Sequence, residues 1–160
     1  MITFKGTPVT LENKPISVGD SAPDFHLIDN ELNEITLKDT SGKRIFVAVP
    51  SVDTAVCDRE VRKFNEEAAK ISDVSIYVVS MDLPFAQVRW CGNAGVDRVK
   101  TVSDFKQKSF GKQYGTLIQE FGFLTRAIFV VDENNKITYV EYCNDVINEP
   151  NYEKVLDAVK

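Results

Sequence analysis

Three cysteines, Cys57, Cys91 and Cys143, and a single histidine, His26, are the side chains of this 160-residue sequence best suited to covalent or metal chemistry. The odd number and the lack of a CxxC pair argue against the disulfide framework of a small secreted domain. A structural zinc site would have to draw ligands from four distant segments, which sets it aside. The cysteines are therefore core fillers or redox groups. Cys57 stands in PSVDTAVC, directly after an apolar β-type run and in the first turn of an amphipathic helix. Unpaired backbone N–H groups and the helix dipole favour negative charge there, and the thiolate is the nucleophilic form of cysteine. Thr54, three residues earlier, can cap the helix or hydrogen-bond the sulfur. Pro50 lacks an N–H and fixes the exit from the strand. Taken alone, Cys57 could be a small buried hydrophobe on the helical face of Val61 and Phe64. Strand, Pro50, Thr54 and helix start together form a constellation that packing would not require.

The elements that must position these residues are legible from periodicity. Residues 44–49 (RIFVAV) are a β-branched and aromatic run bounded by Ser41-Gly42 and Pro50, which suits a buried central strand. Over 56–71, Val61, Phe64, Ala68 and Ile71 fall at helical spacing, with Asp53 or Thr54 as the cap. The pattern then repeats: strand 74–79, helix 85–91 after Pro84, strand 99–102 and helix 105–114. Residues 126–131 (RAIFVV) form another buried-type strand. DENNK at 132–136 turns into strand 137–142, and 152–159 is a closing helix. Ahead of these lie a hairpin within 2–17 and one or two short strands within 25–37. This order describes a thioredoxin-like α/β sandwich: a mixed sheet flanked by helices, preceded by an N-terminal β-hairpin.

Composition narrows the function. The chain is 43% apolar and 27% charged, ordinary for a globular protein, and one domain over 1–160 is expected because no linker or repeat divides it. A net charge of −5 without a long Lys/Arg cluster opposes nucleic-acid binding. No segment approaches the ~20 apolar residues of a membrane span, nor does the N-terminus carry a targeting pattern. The mature protein is expected to begin near Met1, in the cytoplasm.

PSVDTAVCDREVRKFN at 50–65 resembles the peroxidatic-cysteine segment of the bacterial thiol peroxidases, an atypical 2-Cys branch of the peroxiredoxins. SMDLPFAQVRWCGNAG at 80–95 is similar to that family's resolving-cysteine segment, and the 34-residue offset from Cys57 to Cys91 agrees with the family's arrangement. TFKGTPVTL, LTRAIFVVDENN at 124–135 and NEPNYEKVLDAVK extend the similarity to essentially the whole chain. The resemblance implies a homodimer that reduces hydroperoxides without metal or organic cofactor and is recycled by thioredoxin or a similar dithiol reductant. It implies a peroxidatic Cys57, a resolving Cys91, a Cys57–Cys91 disulfide in the cycle, and supporting roles for Thr54, Pro50 and Arg126.

Without the resemblance, Arg126 reads as a solvated charge at a strand end, and Cys91 as a helix-face cysteine beside Trp90. Arg59 and Arg62 read as helix-surface charges and His26 as a structural or surface residue. Cys143, where the family more often has an aliphatic residue, reads as a small residue on the last strand near the core, reactive only if exposed. Two other functions fit a reactive cysteine pair. A non-enzymatic redox switch would change a surface without clearing peroxide. A general disulfide oxidoreductase would use a CxxC at the helix start, but Cys57 is followed by DRE. A Cys57–Cys91 bond needs Cα atoms within roughly 4.4–6.8 Å, so at least one segment is expected to rearrange, the candidates being the first turn of the Cys57 helix and the 85–91 region.

Overall fold

The computed structural model describes residues 1–68, 70–71, 73–95 and 98–160. A hairpin of β1 (Thr3–Phe4) and β2 (Thr7–Pro8) precedes the main sheet, turning at Lys5 and Gly6, both at positive φ. The sheet contains β3 (Leu27–Ile28), β4 (Glu34–Ile35), β5 (Lys43–Ala48), β6 (Val74–Ser80), β7 (Lys100–Ser103), β8 (Ala127–Val131) and β9 (Ile137–Tyr142) in the order β4-β3-β7-β6-β5-β8-β9. β5, β6 and β7 run parallel, and the pairs β3/β7, β3/β4, β5/β8 and β8/β9 are antiparallel. The helices are α1 (Ala55–Ala68), α2 (Pro84–Ala94), α3 (Ser109–Gln113) and α4 (Tyr152–Ala158). None of the described helices is long and apolar enough to cross a membrane.

The continuous apolar runs of β5 and β8 arise because both faces of the sheet are covered. Phe46, Ala48, Ala127, Phe129 and Val131 point to one side, where Phe25, Phe110 and Tyr114 pack. Ile45, Val47, Ile128 and Val130 point to the other, against Cys57, Val61 and Phe64 of α1 and Val155 of α4. Cys57 thus hangs from the stripe that binds α1 to the sheet, at the end of that stripe nearest the strand tips.

The sequence-based boundaries shift most clearly at the hairpin and at the helix expected over 105–114. The hairpin expected within 2–17 covers only Thr3–Pro8, because residues beyond it hydrogen-bond elsewhere: Glu12 N–H to Leu117 O and Gln119 N–H to Thr10 O. The helix expected over 105–114 is confined to Ser109–Gln113. Buried Asp104 takes the N–H groups of Phe110 and Gly111, and Lys108 adopts φ 57, so the chain turns before the helix starts. The helix reading of 56–71 runs over residue 69, which lies outside the described residues; α1 is described to Ala68.

Candidate active site

Pro50 lies two residues past β5 and cannot donate to the sheet; the last ladder bond on this side is Val49 N–H to Val79 O. The loop from Ser51 is then organised by Asp82, just past β6. Its carboxylate accepts from Ser51 Oγ at 2.7 Å, Val52 N–H at 2.9 Å and Ser80 Oγ at 2.7 Å. That anchoring delivers Thr54 as the cap of α1: its Oγ1 accepts the Cys57 N–H at 3.2 Å. Thr54 is exposed, and Cys57, three residues on, is 0% exposed.

Arg126 immediately precedes β8 and, far from being a solvated strand-end charge, is 1% exposed. Its guanidinium is held in three directions. Nε donates to Val146 O at 2.8 Å, Nη1 to Glu60 Oε2, and Nη2 to Cys57 Sγ at 3.1 Å. Val146 is itself fixed from the N-terminal hairpin, because Val146 N–H donates to Thr3 O and Thr3 N–H to Asn144 O. Asp145, between them, accepts from Thr3 Oγ1, Lys5 N–H and Gly6 N–H. Those hydrogen bonds, led by that of Thr3, hold its carboxyl well below the usual carboxylate range.

Glu60 is the site residue the sequence reading passed over. It lies one turn after Cys57, on the face of Val61 and Phe64, and a carboxylate inside an apolar stripe is the local inconsistency that could have marked it. It is wholly buried, and its Oε1 has no partner among the described residues. Burial pushes its pKa up to about 7 despite the guanidinium against it. For Arg126, desolvation acts downward, but Glu60 and Cys57 outweigh it and the net shift is upward, so the cation persists beside the sulfur. The arrangement sets a cation and N–H donors against the Cys57 sulfur, where they can also meet an oxygen arriving at it.

Because Glu60 binds its proton more tightly folded than unfolded, its stabilising contribution is complete below the ordinary 4.5 and lost as pH rises through about 7. Glu60→Gln should therefore flatten the fall in melting temperature between pH 5 and 8, by an amount corresponding to about 1–3 kcal/mol. Asp104, raised by burial to about 6, acts in the same sense in both proteins and cancels in the difference. Parallel melting curves for parent and variant across that range would contradict the assignment.

Cys91 lies on α2, half-buried, with Sγ 3.5 Å from Thr101 Oγ1. The Thr101 hydroxyl donates to Asn30 Oδ1 at 3.1 Å, leaving the Cys91 S–H as the donor toward Thr101. Burial raises the Cys91 pKa. Both thiols are free, and the strands holding their partners, β8 and β7, are three sheet spacings apart, roughly 14 Å. Thr54, Cys57 and Arg126 thus converge, Pro50 frames their loop, and Cys91 sits apart.

Cys143 falls one residue past β9 and is 4% exposed, its N–H donating to Arg126 O. Burial first, then Glu141 and Glu60, push its thiol up to about 12, which leaves it protonated and inert at neutral pH. Cys143→Ser should keep most of the activity, and peptide mapping of the oxidised variant should still recover a Cys57–Cys91 disulfide. His26 is a surface residue hydrogen-bonded through Nδ1 to Glu34, and Arg62 is a half-exposed cation paired with Asp58.

Fold and site together define a thioredoxin-like protein of the peroxiredoxin kind. A peroxiredoxin-like protein from Aquifex aeolicus matches 99% of this chain and 94% of its own with a TM-score of 0.92 at 38% identity. The thiol peroxidase from Chromobacterium violaceum shares the fold with a TM-score of 0.90 at 20% identity, over 98% of this chain and 93% of its own. The chain belongs to the redoxin family, which it matches over residues 17–156, and within that family to the bacterial thiol peroxidases. It is 52% identical over 160 residues to the thiol peroxidase of Bacillus subtilis (strain 168), covering 99% of this chain and 96% of that protein. It is 53% identical over 159 residues to that of Clostridium acetobutylicum (strain ATCC 824), covering 99% and 97%.

Proposed function

We propose that this thiol-dependent peroxidase uses Cys57 as its peroxidatic and Cys91 as its resolving residue. The observation that carries the reading is the Arg126 Nη2–Cys57 Sγ hydrogen bond of 3.1 Å inside a buried site at a helix start. The Cys57 thiolate attacks one peroxide oxygen and the O–O bond breaks. The sulfur becomes a sulfenic acid, and the other oxygen leaves as water or an alcohol after taking a proton. Arg126 remains charged throughout and donates toward the reacting oxygens, and Thr54, exposed at the mouth, supplies a hydroxyl. Cys91 then condenses with the sulfenic acid, giving the disulfide and water. Two electrons from thioredoxin or a similar dithiol reductant reopen it. The cycle runs on sulfur chemistry alone, in a cytoplasmic homodimer.

Steady-state consumption of hydrogen peroxide and of a bulky alkyl hydroperoxide, side by side with thioredoxin and its reductase, tests this reading. Many turnovers per protein are expected. A single stoichiometric oxidation with no turnover would make the cysteine pair a switch and overturn the proposal.

A further inference from the structure

Cys57 and Cys91 are each flanked by a residue of one hydrogen-bonded cluster that ties α1 to α2. Asp58, next to Cys57, accepts from Trp90 Nε1 at 3.0 Å through Oδ1 and from Arg62 Nε at 2.9 Å through Oδ2. Trp90 is next to Cys91. Arg62 also donates through Nη1 to the carbonyl of Ala94, the last residue of α2, at 3.0 Å, and its guanidinium lies 6.0 Å from the centre of the Trp90 ring. A single carboxylate beside one sulfur thus holds the helix that carries the other.

The rest of the hold on α2 comes from Trp90 and Ala94, which pack partly buried against the core, and from the Cys91–Thr101 contact. Only Pro84 and Gln87 of the helix are fully buried, and Phe85 is 69% exposed. Gln87 Nε2 bonds Ser80 Oγ and Val102 O at the N-terminal half. Beside the clasp a cleft of about 420 Å³ opens between the helices, lined by Val52, Asp82, Ala86, Arg89, Trp90 and Asn93. A helix with only two buried residues beside open space belongs toward the low-stability end of a fold, so a charge-assisted hydrogen bond adds to the packing of Trp90 and Ala94 in keeping its C-terminal half in place.

We propose that Asp58 is a positioning residue that gates resolution: its clasp on Trp90 and Arg62 must open before Cys91 can leave Thr101 and reach Cys57. The inference rests on the Cys57–Cys91 reading above. While the clasp is shut, the sulfenic acid at Cys57 waits for Cys91 and is open to a second peroxide, which would carry it to the sulfinic acid. Asp58 therefore sets the balance between closing the disulfide and over-oxidation.

Trp90→Phe removes the indole donor while keeping an aromatic ring and every charge. In rapid-mixing experiments on the full chain, the bimolecular peroxide step should be unchanged. The following first-order closure of the disulfide should accelerate about tenfold, as expected for loss of one hydrogen bond to a carboxylate. By mass spectrometry, the peroxide excess that yields sulfinic acid should rise by a similar factor. Asp58→Asn should accelerate closure as well, and the double variant should add little. In the unsubstituted protein the emission of Trp90, the only tryptophan, should change with the rate constant of closure, which tests the gate even where a variant folds poorly. Closure at the parental rate in Trp90→Phe, or a disulfide that forms with no change in Trp90 emission, would overturn the gate. If the parent forms no Cys57–Cys91 disulfide at all, the underlying resolving assignment has failed instead.

Discussion

Cys57→Ser is expected to lose turnover beyond roughly 1,000-fold, down to the rate of buffer with the reductant alone. Serine is close to isosteric here. It preserves the Cys57-position N–H bond to Thr54 and the packing against Val61, so the far-ultraviolet circular dichroism and the melting temperature should stay near those of the parent. What changes is the reacting atom. A hydroxyl beside Arg126 remains protonated at neutral pH, and even when ionised it lacks the soft, polarizable character that lets a thiolate break an O–O bond. Neither other sulfur can substitute: Cys143 is buried and protonated, and Cys91, its pKa raised by burial, holds its proton toward Thr101. Near-parental turnover in a well-folded Cys57→Ser protein would remove Cys57 from the mechanism.

The second large effect should follow Arg126→Lys, with kcat/KM for peroxide falling about 100-fold, or about 3 kcal/mol of transition-state stabilisation. Charge is retained, but geometry is not. The guanidinium addresses Val146 O, Glu60 and Cys57 Sγ from three separate nitrogens, whereas an ammonium is a single point that must choose among them. Drawn to the Glu60 carboxylate, it would leave the sulfur without its donor. Arg126→Met goes further and leaves a wholly buried carboxylate without its partner, which costs about 3–5 kcal/mol unless it takes up a proton. Rapid-mixing rates for the peroxide step distinguish the outcomes. A rate within twofold of the parent for Arg126→Lys would reduce Arg126 to a structural clamp of the Val146 loop.

Much of the frame was readable from local pattern, because β5, β6 and β8 are covered on both faces and so appear as unbroken apolar runs, and α1 carries its stripe at helical spacing. The start of α1 and the placing of Cys57 in its first turn are local features as well. Burial of Arg126 is not local. It depends on a carbonyl 20 residues later and a carboxylate 66 residues earlier, which no window of sequence displays. Residue 126 therefore read as a surface charge until similarity to a family supplied its place. Glu60 was passed over for the opposite reason: charged residues surround it in DREVRK, and only the helical phase shared with Cys57 separates it from them. The shortened α3 reflects Asp104, whose carboxylate substitutes for a helical turn that periodicity alone would have continued.

The bracing of Val146 by β1 places residues at the head of the chain mechanically in series with the reactive sulfur. Thr3 grips the 144–146 segment from both sides, that segment fixes the guanidinium, and the guanidinium aims at Cys57. Bulky fusions or trimming at the first few positions would thus act like a loosened set-screw, leaving the sheet and both cysteines intact while detuning the arginine they surround. With its carboxyl held far below the ordinary range, Asp145 keeps that strut fastened in acid well after exposed carboxylates have begun to protonate.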